Sequence, residues 1–132
     1  MIQWGITTLI GHRRSLKTCL TDAARFGYDW IELNCVRDYY AHWNAFQLAD
    51  SPDELARLNG LLAECRLGCS AVDCHGLFGR NLEEFNYTCD YLIAGFRIAQ
   101  TLKSPVVVTS IPRGPAPWEL MVRTTAELCR KA

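Results

Sequence analysis

The sequence predicts an α/β fold of parallel strands, about half of a (β/α)8 barrel, on three observations. Apolar strand patterns alternate with capped helical patterns about every 30 to 40 residues, the length of one βα unit. A closed barrel needs eight such units in roughly 250 residues, so 132 residues hold about four. No two strands are separated by a hairpin-length turn, which makes parallel pairing through right-handed crossovers the expected connection. Residues 1–132 therefore read as a single domain, the amino-terminal half of a barrel with strands in sequential order. Periodicity alone leaves one other arrangement open, a small open doubly wound sheet, because that fold begins with the same units.

The first strand is read at Ile2 to Thr8, with Trp4 and Ile6 on one face and Gln3, Gly5 and Thr7 on the other. After a loop over Leu9 to Arg14, Ser15 is placed to cap a helix. Leu16, Cys19, Leu20, Ala23 and Phe26 recur there at helical spacing, and Gly27 suits a left-handed end. Trp30 to Cys35 forms the second strand, Ile31 and Leu33 facing one way and Glu32 and Asn34 the other. The aromatic-rich segment Val36 to Asp50 has no clean period and reads as a long loop with room for a helical turn. Ser51, Pro52 and Glu54 then supply an N-cap, a first-position proline and a capping-box glutamate. Leu55, Leu58, Leu61, Leu62 and Cys65 make that helix's buried stripe, and Gly68 ends it. Cys69 to His75 is the third strand. Asn81 and Glu84 open a third helix that draws on Phe85, Tyr91, Leu92, Ile98, Ala99 and Leu102 and stops before Pro105. Val106 to Thr109 form the fourth strand, and a proline-rich turn over Ile111 to Pro117 leads to a fourth helix from Trp118.

Acidic and basic residues balance at 14 each, so no excess of Lys and Arg offers a footprint for phosphate, and nucleic acid is not an expected partner. Arg13-Arg14 and Arg130-Lys131 read as solvated surface. No run approaches the roughly 18 consecutive apolar residues of a membrane span. Strand patterning starts directly after Met1, so neither a membrane partner nor a leader is expected, and the expected location is cytoplasmic. Seven cysteines without a CxxC pair read as buried, reduced thiols rather than a disulfide framework or a structural zinc site. Neither GxGxxG nor GxxxxGKS/T follows a strand, which weakens a nucleotide-binding reading.

Parallel βα folds bind ligands at the carboxyl ends of their strands, where this sequence places Thr7, Glu32, Asn34, His75 and Thr109. If Glu32 and His75 both point inward, a carboxylate and an imidazole share one pocket mouth and can hold a polar substrate, transfer a proton or contribute to a metal site. The structural alternative makes each an internal hydrogen-bond partner. Asp73 is read as orienting His75 or pairing inside the barrel. His12 and His42 read as surface. Tyr39, Tyr40, Trp43 and Phe46 form an apolar wall over a pocket, or cover the barrel end or a subunit contact.

Four stretches, IQWGITT, GYDWIELN, VDCHGLFG and IAGFRIAQTLKSPVVVTS, resemble in order and spacing the xylose isomerase-like superfamily of sugar phosphate isomerases and epimerases, which also includes endonuclease IV-type barrels. The resemblance covers essentially the whole chain. It implies a (β/α)8 TIM barrel that moves protons next to a carbonyl of a sugar or polyol, with a divalent metal (Mn, Mg, Co or Zn) in the complete barrel. It also implies substrate contacts for Glu32, at the recurring strand-two glutamate, and for His75, at a strand-three histidine that binds metal in the nuclease branch. Thr109-Ser110 stand where that branch has a histidine, which counts against a multi-zinc endonuclease. The isomerases' metal ligands belong to later strands, so no metal ligand is assigned here.

The expected function is thus that of a sugar or sugar phosphate isomerase or epimerase, incomplete in this chain. Its substrate-binding residues are Thr7, Glu32, Asn34, His75 and Thr109, and its catalytic carboxylates lie elsewhere. The alternative is a non-catalytic α/β module that binds a sugar-like ligand, or a partner through open sheet edges. Strands one and four would be those edges, so self-association, a missing carboxyl-terminal half or the pairing of two copies into one barrel is expected to cover them.

Overall fold

Four strands, β1 (Gly5–Thr7), β2 (Trp30–Asn34), β3 (Gly68–Asp73) and β4 (Val107–Val108), pair in parallel in the order β1-β2-β3-β4. Sequential order is that of a barrel, and it lacks the reversal point of a doubly wound sheet. The computed structural model describes residues 2–36, 42–74, 82–109 and 118–131. Helices α1 (Leu16–Arg25), α2 (Ala45–Ala49), α3 (Pro52–Cys65), α4 (Leu82–Leu102) and α5 (Trp118–Lys131) complete the described architecture, an α/β partial barrel. The core lies between sheet and helices. Ile6, Ile31, Leu33, Cys69, Val72, Cys74 and Val107 supply the sheet side, against Leu20 of α1, Leu58 and Leu62 of α3 and Ile98 of α4.

Several boundaries differ from the sequence reading, each for a local reason. Strand β1 is shorter than expected because the Thr7 hydroxyl accepts from the Leu9 amide at 3.3 Å and starts a 3-10 turn over Thr8–Gly11. Trp4, which precedes the strand, is 64% exposed. Ser15 caps α1 as expected, accepting from the Thr18 amide at 3.2 Å, and Gly27 takes the left-handed conformation. The expected capping box at Ser51 does not form: Ser51 makes no side-chain cap bond, and the Glu54 carboxylate holds Arg57 at 2.7 Å instead. Pro52 does occupy the first turn, where its missing N–H costs nothing.

The left-handed residue that ends α3 is Arg66, not Gly68. Leu67 then donates from its amide to Leu62 C=O at 2.9 Å, closing the helix end. Gly68 instead opens β3 directly against Trp30, where a Cβ would overlap the indole ring. A fifth helix, α2, forms inside the segment read as a loop. Asn44 caps it by accepting from the Phe46 amide at 3.0 Å, and Phe46 packs edge-on against Tyr87 and Tyr91 of α4, with ring centroids at 5.2 and 5.1 Å. Phe46 therefore belongs to a helix contact rather than a pocket wall.

Tyr91 ties these parts together. Its buried hydroxyl donates to Cys35 C=O, just past β2, and accepts from the Ala45 amide at 3.0 Å, at the start of α2. One phenol thus fixes both ends of the connection between β2 and α2, and burial raises its pKa. Tyr91→Phe leaves a buried carbonyl and a buried amide without this partner, so it should destabilise the fold by about 1–3 kcal/mol, read from urea unfolding midpoints.

All seven cysteines are free, and Cys35, Cys69 and Cys74 are buried. Burial pushes these three thiols up, Cys74 from 9.0 to about 12. Above the unfolded value the unfolded chain loses thiol protons that the folded chain keeps, so stability is full below pH 9 and falls as pH rises toward 12. Denaturation midpoints measured between pH 7 and 11 should decline over the upper half of that range, and less so in Cys74→Ala.

Candidate functional site

Because the apolar residues of the strands face the helices, the opposite face of the sheet, the interior of a barrel, receives the alternate residues. These are Thr7, Glu32, Asn34, Ala71, Asp73 and Val108. A register shift between Ile31 and Glu32 sets their level. Ile31 pairs with Cys69 but Glu32 pairs with Ala71, so Ser70 is the extra residue, and its hydroxyl donates to Ile31 C=O at 3.0 Å. Beyond this bulge Asp73 stands beside Asn34.

At the carboxyl ends of β2 and β3 the Asn34 side chain donates from Nδ2 to Asp73 Oδ2 at 3.1 Å, and its Oδ1 accepts from the Val36 amide at 3.3 Å. The Asn34 backbone amide donates to Thr8 Oγ1 at 2.9 Å, and the Cys35 amide to Asp73 C=O at 2.8 Å. Thr8, Asn34 and Asp73 are all buried. Their bonds link the 3-10 turn, β2 and β3 into a rigid polar floor.

Glu32 lies one pleat below, beside Thr7 on β1 and Ala71 on β3. It is half-buried, and among the described residues no hydrogen bond or ion pair reaches its carboxylate. That combination separates it from Asn34 and Asp73, whose polar atoms are engaged. Thr7 uses its hydroxyl for the turn. Thr109 follows Val108, so strand alternation assigns it to the helix side; its Oγ1 is buried with no partner among the described residues. Glu32, Asn34 and Thr7 are thus brought onto one face. His75 lies outside the described residues, as do Tyr39 and Tyr40.

Sequence reasoning missed two features of this end of the sheet. Thr8, adjacent to a candidate, is the acceptor that fixes Asn34. His42 is held internally, its Nε2 donating to Arg14 C=O at 3.0 Å and lying 3.7 Å from Cys19 Sγ. Neither carries a motif. Trp43 lies under the Arg57 guanidinium, 5.8 Å from the ring centroid, and so packs toward α3.

Among the described residues no three His, Cys, Asp or Glu side chains converge to hold a metal ion. On this face Glu32 is, among the described residues, the carboxylate that makes no bond within the fold, and a divalent cation needs a larger donor set, so these residues do not by themselves fit the expected metal. Among the described residues, clefts of about 160 and 270 Å³ lie beside β1 and beside β4. No described helix is long and apolar enough to cross a membrane.

Neither a family model nor a curated protein matches this sequence. Solved structures do match it. One, a xylose isomerase-like TIM barrel/4-hydroxyphenylpyruvate dioxygenase fusion protein, aligns with a TM-score of 0.70 at 16% identity, over 98% of this chain and 20% of its own. The fold is that of part of a TIM barrel. A D-tagatose 3-epimerase-like protein aligns over 98% of this chain and 48% of its own, with a TM-score of 0.69 at 19% identity. D-psicose 3-epimerase aligns over 83% and 37%, with a TM-score of 0.59 at 12% identity. The chain therefore spans half or less of the length of these barrels.

The two halves of the site should respond differently to substitution. Glu32→Gln, which removes no internal bond among the described residues, should leave stability within about 0.5 kcal/mol. Asn34→Ala should cost about 1–3 kcal/mol by removing the bond to Asp73 and the acceptor of the Val36 amide, both variants read from chemical denaturation.

Proposed function

We propose that this chain forms one wall of a sugar isomerase or epimerase site, in which Glu32 contacts the substrate while a proton moves next to a carbonyl of a sugar or polyol. The observation that carries this reading is the Glu32 carboxylate, without a partner among the described residues, on the barrel-interior face near the strand ends where barrel enzymes bind their substrates. A carboxylate without an internal partner is free to accept a proton or a substrate hydroxyl, whereas Asn34 and Asp73 serve to hold the wall rigid. The likeness to a D-tagatose 3-epimerase-like protein and to D-psicose 3-epimerase supports a small sugar as ligand; a sugar phosphate is the further variant implied by the sequence resemblance. His75, two residues beyond Asp73, is proposed as the second polar group of the wall. A divalent metal in a complete barrel would draw ligands from strands beyond these, and no step here runs through it. Free thiols agree with a reducing, cytoplasmic setting.

A second reading, a non-catalytic module that binds a sugar-like ligand, draws on another observation. Inversion at carbon needs an acid or base on each side of the reacting centre, and Glu32 alone, among the described residues, offers a free carboxylate on this face.

Proton NMR of ketohexoses in D2O with the purified chain separates the two. Catalysis predicts loss of a carbon-bound proton beside the carbonyl and a decrease in that rate of about 100-fold or more in Glu32→Gln. Exchange unaffected by the substitution would refute the role of Glu32. Saturable sugar binding without exchange would favour the module.

A further inference from the structure

We propose that Cys19 and His42 form a binding site for a thiophilic divalent cation of the zinc class, with the carbonyls of Gly11 and Arg14 as its further donors. The site lies apart from the proposed sugar wall, and the inference stands whether or not Glu32 takes part in catalysis.

Segments distant in sequence bring these atoms together. Cys19 stands on α1, Gly11 ends the 3-10 turn after β1, and His42 belongs to the approach to α2, 23 positions beyond Cys19. Cys19 Sγ lies 3.2 Å from Gly11 C=O and 3.7 Å from His42 Nε2, and that nitrogen lies 3.0 Å from Arg14 C=O. A sulfur and a nitrogen are thus each flanked by one carbonyl oxygen. Gly11 lets its carbonyl reach the sulfur, because a Cβ at that position would overlap Cys19 Sγ. Arg14 offers only its carbonyl, since its guanidinium pairs with Asp22.

The spacing is that of two ligands sharing one ion. Zinc sits about 2.3 Å from a thiolate sulfur and about 2.0 Å from an imidazole nitrogen, so donors 3.7 Å apart subtend roughly 120° at the metal. That angle lies close to the tetrahedral one. The two carbonyl oxygens need to spread by only about 0.4 Å from the sulfur and the nitrogen to become third and fourth ligands. As a hydrogen bond the Cys19–His42 contact gains little. The thiol is given to Gly11 C=O and Nε2–H to Arg14 C=O, which leaves sulfur and nitrogen side by side without a shared proton. His42 Nδ1 is buried with no partner among the described residues, so no second bond holds the ring in its Nε2–H tautomer. On binding, the thiol proton passes to solvent, the imidazole proton shifts from Nε2 to Nδ1, and the ion takes the two freed lone pairs. Gly11 belongs to the turn whose Thr8 hydroxyl accepts from the Asn34 amide, so the ion also braces that turn against α1 and the approach to α2.

Cobalt titration of the reduced, metal-free chain under nitrogen tests the site, because a thiolate bound to Co2+ gives a charge-transfer absorption that oxygen and nitrogen ligands do not. The expected result is this band at one equivalent, its displacement by Zn2+, and a zinc-dependent rise in the thermal midpoint. Cys19→Ser and His42→Gln should each weaken binding of both ions about 100-fold or more, since losing a ligand costs at least what losing an outer-shell partner does, while far-UV circular dichroism of the metal-free chain stays unchanged. Absence of the band up to about 1 mM cobalt overturns the proposal. A band that survives either substitution overturns it too and assigns the ion to other thiols. Should a variant not fold, X-ray absorption at the zinc edge of the unsubstituted chain decides. One sulfur and one imidazole nitrogen with oxygens around the ion support the site; two sulfurs, or none, refute it. Glu32→Gln should leave the titration unchanged, and a band lost with Glu32 would place the ion elsewhere. Proton exchange of sugars plays no part in any of these readouts, so the role of Glu32 can fail while this site stands.

Discussion

Ile31, Leu33 and Val72, all at 1% exposure or less, fix the orientation of the two central strands, and every other placement on the sheet follows from that. Side chains alternate with a period of two, so a slip of one residue would turn these three to the interior face and bury Glu32 among helices. The cost of placing an unpaired carboxylate in that apolar layer is several kcal/mol or a lost charge. Hydrophobic burial on the outer face thus keeps the Glu32 carboxylate available on the inner one.

The inner face is divided by hydrogen bonding. Asn34, Asp73 and Thr8 are buried and bonded to each other or to backbone, so they contribute shape and rigidity. Glu32 is half-buried and unbonded among the described residues, so it has capacity left for a ligand. The Tyr91 hydroxyl gives a similar rigidity to the connection that leaves this end of β2. A free acid set on a stiff, fully satisfied support is the arrangement that general acid–base chemistry needs, because its position is held without its lone pairs being spent.

Central and terminal units differ in how completely they are covered. Strands β2 and β3 have a strand on each side and helices over their outer faces, whereas among the described residues β1 and β4 have one neighbour each. An isoleucine is thus buried in the middle and exposed at the first strand's approach, Ile31 at 1% against Ile2 at 79%. The solved barrels that this chain resembles continue past the matched part, which is 20 to 48% of their length in the cases described.

Much of this was legible in the amino-acid sequence: the α/β class, the sequential parallel order, Ser15 and Gly27 at the ends of α1, and the opposite facing of Ile31 and Glu32. Each of these rests on local periodicity or on a cap, and both act within a few residues. What sequence could not supply was anything set by contact across the chain. The bulge at Ser70 that aligns Asp73 with Asn34 depends on two strands almost 40 residues apart, since the Asn34–Asp73 bond spans 39 positions. Helix α2 has no strong period of its own and forms where Tyr91, 46 residues from Ala45, receives its first amide. Gly68 reads as a helix stop and becomes a strand residue because the Trp30 ring lies where a side chain would go. Local pattern determined which elements form and which face each residue takes; only the packed structure decided which polar groups are spent on one another and which, like Glu32 among the described residues, are not.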